Sequence, residues 1–440
     1  MTSAPTIQPK FLPNRHDLGI VAVGFSGGQP KAGVDAAPMA LIENGLIKQL
    51  EEDLEFKVTY DGQVHNYTEL QPSDDPDYRG MKRPKFASAV TKQVSDQVYA
   101  HASSGKLVLT LGGDHSIAIG TVSGTAKAVR ERLGKDIAVI WVDAHADINT
   151  PETSDSGNIH GMPVSFLTGL ATEEREDVFG WIKEEHRLST KKLVYIGLRD
   201  IDRGEKKILR DHGIKAFSMH DIDRHGIGKV MDMALGWIGS DTPIHLSFDV
   251  DALDPMWAPS TGTPVRGGLT LREGDFIAEC VAETGQLIAL DLVEVNPSLD
   301  AEGAGDTVRA GVSIVRCALG DTLFSGIFLC LCLLGTYVFG WWFGLSWPWE
   351  KAKRKALVDD LEAANLKLVR RRRDSVEGAL GQEVVMAAIA EERHQGDAAR
   401  LMKKISDLRK ELEEAKAMGF VPASGLGAAG PSTVRKRNPS

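Results

Sequence analysis

Three residues of types that commonly bind metal ions follow an apolar run in the segment IWVDAHADIN, residues 140–149. Asp143, His145 and Asp147 stand two residues apart, and in an extended segment side chains at that spacing project to the same side. Two carboxylates and an imidazole that converge without a cation would shift one another's pKa, and a divalent cation relieves the repulsion. The segment predicts a metal site, although DxHxD alone is also compatible with a surface strand end.

Two further apolar runs end in the same residue types. LTLGGDHS, residues 109–116, ends in Asp114 and His115, and HLSFDVDALDP, residues 245–255, carries Asp249 and Asp251. The six candidate metal ligands are His115, Asp143, His145, Asp147, Asp249 and Asp251. An oxygen-rich set with imidazole suits Mn²⁺ better than structural zinc. Carboxylates that can bridge predict two Mn²⁺ ions about 3.5–4 Å apart.

Six runs rich in Val, Ile and Leu must position these residues. They lie at 18–25, 106–113, 136–143, 192–200, 243–251 and 286–295, with helical patterns between them. Continuous apolar strands that alternate with helices indicate a parallel sheet covered on both faces. Polar residues come mostly at the ends of the runs, and open α/β sheets bind ligands at the carboxyl ends of their strands.

Charge and cysteine content narrow the class of function. Residues 1–350 carry 32 Lys+Arg against 48 Asp+Glu, whereas residues 351–440 carry 19 against 13, a net charge of −16 followed by +6. The acidic front argues against nucleic acid as a partner. The chain has four cysteines, none of them in a CxxC pair, and its N-terminus lacks an apolar signal sequence. Both features predict that the front domain is cytosolic.

GGDHS, DAHADIN, SGNIHGMP and SFDVDALDP, in that order, resemble the ureohydrolase superfamily. FSGGQPKAGVDAAP, YIGLRDID and DLVEVNPS are similar to arginases in particular, and the resemblance covers about residues 17–322. It implies a three-layer α/β fold with a mostly parallel eight-stranded sheet and a two-manganese site. It also implies hydrolysis of L-arginine to L-ornithine and urea by a homotrimer or homohexamer.

The resemblance also implies how the six ligands act. His115, Asp143, Asp147 and Asp249 would hold one ion, and Asp143, His145, Asp249 and Asp251 the other. A hydroxide that bridges the ions would attack the guanidinium carbon, which is otherwise a poor electrophile. Asp147 would take the proton of this hydroxide and pass it to the leaving amine.

The remaining site residues are carried over from the same motifs. His160 would be a second proton carrier, because imidazole titrates near neutral pH. Glu294 would receive the substrate guanidinium through charge-assisted hydrogen bonds. The positions that would read the amino-acid end are Asn149, Ser156 and Asn158 for the α-carboxylate and Asp202 for the α-amino group, with Thr263 in the site wall. Read alone, such polar loop residues are also typical of ordinary turns.

Two other functions stay open. An agmatinase or another guanidino-ureohydrolase would use the same metal ligands on a substrate that lacks the α-carboxylate. Asn149, Ser156 and Asn158 favour a substrate with a carboxylate end. A catalytically idle, membrane-tethered scaffold is the alternative from another class, although all six proposed ligands are present.

An uncharged segment follows the resemblance, since residues 322–349 contain no Asp, Glu, Lys, Arg or His. A helix of about 20 such residues spans a bilayer, and tryptophans followed by a basic run fit a membrane interface. We predict a transmembrane helix over 323–349 that anchors the chain to a membrane; a buried core helix is the alternative. The basic run favours a cytosolic tail, which conflicts with a cytosolic front unless the chain is composite.

The sequence thus divides into five predicted parts. They are an N-terminal arm (1–16), a catalytic domain (17–322), a transmembrane helix (323–349), a charged helical segment with a short coiled coil (350–418) and a disordered tail (419–440). The coiled coil rests on the spacing of Leu401, Ile405, Leu408 and Leu412. The tail is rich in small residues and proline.

Overall fold

Eight strands form a single sheet in this computed structural model, which describes residues 8–299 and 303–322. The strands are β1 (Asp17–Ala22), β2 (Lys57–Thr59), β3 (Leu107–Leu111), β4 (Ala138–Val142), β5 (Leu193–Leu198), β6 (Lys215–Ser218), β7 (Ile244–Asp249) and β8 (Leu287–Val293). The six apolar runs of the sequence form six of these strands. Their side chains are almost all buried, because helices cover both faces of the sheet.

The strand order is β2-β1-β3-β8-β7-β4-β5-β6, and every neighbouring pair is parallel. The expectation of a mostly parallel sheet is therefore corrected to a sheet that is parallel throughout. The two edge strands, β2 and β6, are the ones that the apolar runs did not predict. Both are short and only partly buried, so their sequences lack a continuous apolar run.

Ten α-helices connect and cover the strands within the described residues. They are α1 (Ala37–Glu43), α2 (Leu46–Glu52), α3 (Pro84–Ser103), α4 (Ala118–Leu133), α5 (Pro163–Leu167), α6 (Arg203–Asp211), α7 (Met219–His225), α8 (Ile227–Ile238), α9 (Leu271–Glu283) and α10 (Ala304–Ala318). Helices α3 and α4 pack together, as do α9 and α10. The result is the expected three-layer α/β fold.

The register aligns the carboxyl ends of the four central strands. Leu111 of β3 pairs with Leu292 of β8, Leu292 with Phe248 of β7, and Phe248 with Val142 of β4. The residues that follow this row therefore lie side by side at the carboxyl end of the sheet. They include His115 after β3 and Asp143 after β4. This is where a ligand site is expected in an open α/β sheet.

The predicted transmembrane helix (323–349), charged helical segment (350–418) and disordered tail (419–440) lie outside the residues that the structure describes. Between residues 8 and 322, leaving out 300–302, no helix combines the length and apolar character needed to cross a bilayer. Upstream of β1, Phe11 and Leu12 belong to the same hydrophobic core as the central strands.

Candidate metal centre and substrate cavity

The first group of ligand-type side chains surrounds the imidazole of His115. Its Nδ1 atom lies 3.1 Å from Asp143 Oδ2, 3.1 Å from Asp147 Oδ2 and 3.2 Å from Asp249 Oδ2. All four side chains are buried. One ligand atom from each of His115, Asp143 and Asp147 falls within a span of 4.8 Å, close enough to hold one metal ion.

The second group shares Asp143 with the first. His145 Nδ1 lies 3.4 Å from Asp143 Oδ1 and 3.1 Å from Asp251 Oδ2, and these three residues form another set within 4.8 Å. Asp143 therefore directs one carboxylate oxygen to each group. A carboxylate placed in this way can bridge two cations, so the donor set fits a binuclear metal site.

The backbone produces this convergence differently from the sequence expectation. Strand β4 ends at Val142, so Asp143, His145 and Asp147 lie in a bend and not on an extended strand. Asp147 has a left-handed backbone with φ 49°, which is uncommon for a residue with a side chain. The alternation argument was wrong in its geometry, although the three residues do converge. Strained backbone of this kind clusters at functional sites.

Two side chains that the sequence analysis did not single out hold the ligands in place. Trp141 Nε1 donates to Asp143 Oδ2 at 2.9 Å, and its ring stacks on His115 with centroids 4.0 Å apart. Ser247 Oγ lies 2.9 Å from His115 Nε2, which leaves Nδ1 of that ring for the metal. Trp141 and Ser247 each precede an aspartate ligand by two residues, and that spacing was the available signal.

Thr263, predicted as a wall residue, contacts the ligand set itself. Its Oγ1 donates to Asp251 Oδ2 at 2.9 Å. Asp251 also receives the backbone N–H of Ala144 at 3.3 Å. Thr263 therefore lies close enough to the second group to orient one of its carboxylates.

Burial and mutual repulsion shift the protonation of the carboxylates in the ion-free chain. Burial, then the charges of Asp251 and Asp143, raise the pKa of Asp249 well above its usual range. Burial and the Asp143 charge raise the pKa of Asp147 to about 6. For His145, burial lowers the pKa, but Asp251 and Asp143 outweigh it and raise the pKa. The site thus holds protons where divalent cations would otherwise balance the charge.

His160 and Glu294 form a hydrogen-bonded pair beside the metal centre. His160 Nδ1 lies 3.1 Å from Glu294 Oε1, and the same oxygen accepts the backbone N–H of His115 at 3.0 Å. Glu294 is buried and has a left-handed φ of 61°. Its Oε2 atom has no hydrogen-bond partner among the described residues, so this oxygen can accept a donor from a ligand.

The metal centre opens into a cavity of about 240 Å³. The predicted site residues in its lining are His145, Asp147, Asn149, His160, Asp202, Asp249 and Thr263. Asn149 Nδ2 donates to Asp202 Oδ2 at 2.7 Å, so the two residues predicted to read opposite groups of an amino acid lie together. Ser156 is exposed and Asn158 half-buried in the following loop, and neither lines this cavity.

Glu205 is a further cavity residue that the sequence analysis missed. It is buried in the first turn of α6, and its carboxylate accepts the N–H of Ile148 at 3.3 Å and of Asp202 at 3.2 Å. Burial, followed by the charges of Asp147 and Asp202, raises its pKa to about 8. The spacing Asp202-x-x-Glu205 is a capping box, a signal that the sequence already contained.

Comparison with known proteins agrees with this geometry. The sequence model of the arginase family matches residues 16–320. Arginase from Emericella nidulans is 70% identical over 319 residues, which cover 72% of this chain and 98% of that protein. Arginase from Neurospora crassa is 72% identical over 316 residues, which cover 71% of this chain and 88% of that protein.

A solved structure shares the fold as well. The crystal structure of a cold-adapted arginase from the psychrophilic yeast Glaciozyma antarctica superposes with a TM-score of 0.58 at 48% identity. The match covers 73% of this chain and all of that one (100%). These matches confirm the resemblance inferred from the motifs, and the family match stops before the uncharged segment begins. The chain belongs to the arginase family.

Proposed function

We propose that the chain hydrolyses L-arginine to L-ornithine and urea with two Mn²⁺ ions. The observation that carries the proposal is the position of Asp143, which joins two ligand groups whose members His145 and Asp147 line the cavity. Glu294 and its unpartnered oxygen lie next to the same centre. We infer that a positively charged guanidinium would sit between an acid that binds it and the residues that would hold the two metal ions.

The residues present fit a pair of divalent cations. Four buried aspartates would repel one another strongly without a cation, and two imidazoles complete the donor set. Oxygen-rich sites with imidazole favour Mn²⁺ over structural zinc. Two such ions, when bound, lower the pKa of water so that it attacks as a nucleophile at neutral pH.

The chain's own residues would orient the substrate and move the protons. Glu294 would bind the guanidinium through charge-assisted hydrogen bonds and so fix its carbon against the attacking water. Asp147, with a carboxylate in the cavity wall, would accept a proton from that water and deliver it to the departing amino group. His160 would exchange the proton with solvent, because its ring is buried only in part and is paired with Glu294.

The amino-acid end of L-arginine distinguishes this function from agmatine hydrolysis. Asn149 and Asp202 line the cavity and present an amide and a carboxylate to the α-groups of a substrate. Ser156 and Asn158 do not line the cavity, but they lie in the loop that begins at Asn149 and would receive an α-carboxylate that extends beyond the cavity lining. A substrate without that carboxylate would leave these polar groups without their partner.

The test is to measure urea release from L-arginine and from agmatine by the manganese-loaded, full-length chain. We expect kcat/KM for L-arginine to exceed that for agmatine by at least about a hundredfold, since site polar groups left unpaired cost strongly in specificity. Comparable values would overturn the assignment of the carboxylate-reading residues. Urea from neither compound would overturn the proposed function.

Assembly and location complete the proposal. We propose a homotrimer or homohexamer, a catalytic domain of residues 17–322 in the cytosol, and membrane association through residues 323–349. The uncharged composition of that segment supports the last point. Activity that stays with alkali-washed membranes would support the anchor. Activity found only in the soluble fraction, with the chain intact, would contradict it.

A further inference from the structure

A tight turn outside the metal centre contacts the loop that begins at Asn149. Tyr78 and Met81 exchange backbone hydrogen bonds of 3.0 and 2.9 Å, so Arg79 and Gly80 form the tip of a two-residue turn, here called the 78–81 turn. Both tip residues have positive φ, 50° for Arg79 and 80° for Gly80. Glycine adopts that conformation readily, but an arginine there is strained, which marks Arg79 as a residue held in place by its contacts.

The Arg79 guanidinium joins two acidic residues from separate loops. Its Nη2 atom pairs with Glu152, and its Nη1 atom pairs with Glu173 and donates to the carbonyl of Thr172 at 3.3 Å. Glu173 is buried, with 5% of its side chain exposed, whereas Glu152 is exposed. Arg79 thus links an exposed carboxylate on one loop to a largely buried carboxylate on the other.

Glu152 belongs to the substrate loop, defined here as residues 149–158, which carries Asn149, Ser156 and Asn158. The backbone of this loop also meets the 78–81 turn. Lys82 N donates to Gly157 O at 2.9 Å, and a Cβ at Gly157 would collide with the carbonyl oxygen of Gly80. The 78–81 turn therefore contacts the substrate loop at two positions, Glu152 and Gly157, and Ser156 lies between them in the sequence.

Contacts within the substrate loop are local. Thr153 Oγ1 donates to Asn149 Oδ1 at 2.8 Å, and Ser154 Oγ accepts the N–H of Gly157 at 3.0 Å. These bonds shape the loop but leave its placement over the cavity to contacts with other segments. The ion pair of Arg79 with Glu152 is one such contact, and it reaches the loop three residues after Asn149.

We propose that Arg79 is a positioning residue that sets the affinity for the α-carboxylate of the substrate. It does not touch the substrate; it fixes the position of the substrate loop, from which Ser156 and Asn158 would reach the α-carboxylate. This inference rests on the proposed function, because it requires that the substrate loop reads an α-carboxylate. The ion pairs and the hydrogen bond of Arg79 go to Glu152, Glu173 and Thr172 and not to a proposed metal ligand, so the chemical step is expected to be insensitive to Arg79.

The test compares Arg79→Met, Arg79→Lys and Glu152→Gln with the parent chain, all manganese-loaded and full-length. Ornithine formation from L-arginine gives kcat and KM, and agmatine added as a competitor gives its inhibition constant. We expect Arg79→Met to raise KM about fivefold, the loss of an exposed ion pair of ordinary strength, with kcat unchanged. Glu152→Gln should raise KM in the same direction, and Arg79→Lys should restore part of the affinity.

The inhibition constant of agmatine separates positioning from general stability. Agmatine lacks the α-carboxylate, so its inhibition constant should not change in any of the three variants. Arg309→Met is the matched control, because Arg309 is an exposed arginine paired with Asp306 on α10, outside the cavity lining. This control should leave KM, kcat and the agmatine constant unchanged.

Three results would overturn the inference. One is an unchanged KM for L-arginine in Arg79→Met and Glu152→Gln. Another is a parallel rise of the agmatine constant, which would mean that Arg79 supports the whole cavity. The third is a fall in kcat without a change in KM. If Arg79→Met does not fold, Arg79→Lys and Glu152→Gln decide the question. A parent chain that forms no ornithine would instead contradict the proposed function.

Discussion

One carboxylate oxygen of Glu294 is shared between the imidazole of His160 and the backbone N–H of His115. Glu294 Oε1 lies 3.1 Å from His160 Nδ1 and accepts the N–H of His115 at 3.0 Å. The acid proposed to bind the guanidinium and the histidine proposed to carry protons are therefore in contact. A change in either residue is expected to alter the protonation of the other, and this coupling can be measured.

The first prediction concerns the pH dependence of stability. Burial lowers the pKa of His160, but Glu294 outweighs it, and the result is a pKa of about 9 against an ordinary 6.5. A histidine whose pKa rises on folding stabilises the fold at pH values below its pKa in the unfolded chain. This contribution is lost as the pH rises through about 9, the pKa of His160 in the folded chain. In the metal-free chain, we expect Glu294→Gln to lower the free energy of unfolding by up to about 3 kcal/mol at pH 6 and by much less at pH 9.5.

Urea denaturation of the metal-free chain at both pH values measures this difference. Glu184→Gln is the control, because Glu184 is an exposed glutamate paired with Arg187 and should show no pH-dependent effect. A destabilisation by Glu294→Gln that is equal at pH 6 and pH 9.5 would show that Glu294 does not stabilise the protonated ring of His160.

The second prediction concerns Asp147. Asp147→Asn keeps the size of the side chain but removes the carboxylate that approaches His115 Nδ1 and that is proposed to take the proton. We expect urea release to fall by about a thousandfold or more, because a proton carrier and a metal ligand are lost together, while the fold is retained. Circular dichroism checks the fold and urea release checks the activity. Turnover near that of the parent chain would refute both roles of Asp147.

The third prediction concerns metal removal. Burial and the neighbouring charges raise the pKa of Asp249 and of Asp251, so metal binding must release protons from the site. An aspartate with a raised pKa costs the ion-free chain stability above its unfolded pKa, and that cost fades as the pH falls. We therefore expect Mn²⁺ to raise Tm strongly at pH 8 and much less at pH 5.5.

Calorimetry with added Mn²⁺ or with chelator at both pH values provides the comparison. Asp241→Asn is a suitable control, because Asp241 pairs with Lys135 at the surface and should leave the metal-dependent rise in Tm unchanged. A rise in Tm that is as large at pH 5.5 as at pH 8 would contradict proton release from the buried aspartates.

Much of the fold was readable from the sequence because the six strands buried on both faces consist of apolar side chains. The edge strands could not be predicted, since Lys57–Thr59 and Lys215–Ser218 are short, only partly buried and lack a continuous apolar run. The alternation of apolar runs with helical patterns predicted the parallel direction of the central strands. It did not predict the direction of the two edge strands, because no apolar run marked them.

The sequence motifs contained the residues that the structure brings together in the two ligand groups, but they did not predict the local geometry of these residues. Spacing alone suggested an extended DxHxD segment, whereas the structure bends the chain after Val142 and turns Asp147 left-handed. Contacts between distant segments, such as Trp141 with His115 or Thr263 with Asp251, leave no local pattern. The same is true of Arg79, whose two acidic partners lie 73 and 94 residues away in sequence.

The measurement that we would make first is a Mn²⁺ titration of the chelated, full-length chain, with urea and L-ornithine formed from L-arginine followed together. Two ligand groups joined by Asp143 predict that activity rises with added Mn²⁺, levels off near two ions per chain, and yields the two products in equal amounts. Full activity in the chelated chain, or no products at any Mn²⁺ concentration, would contradict a binuclear manganese centre that hydrolyses L-arginine.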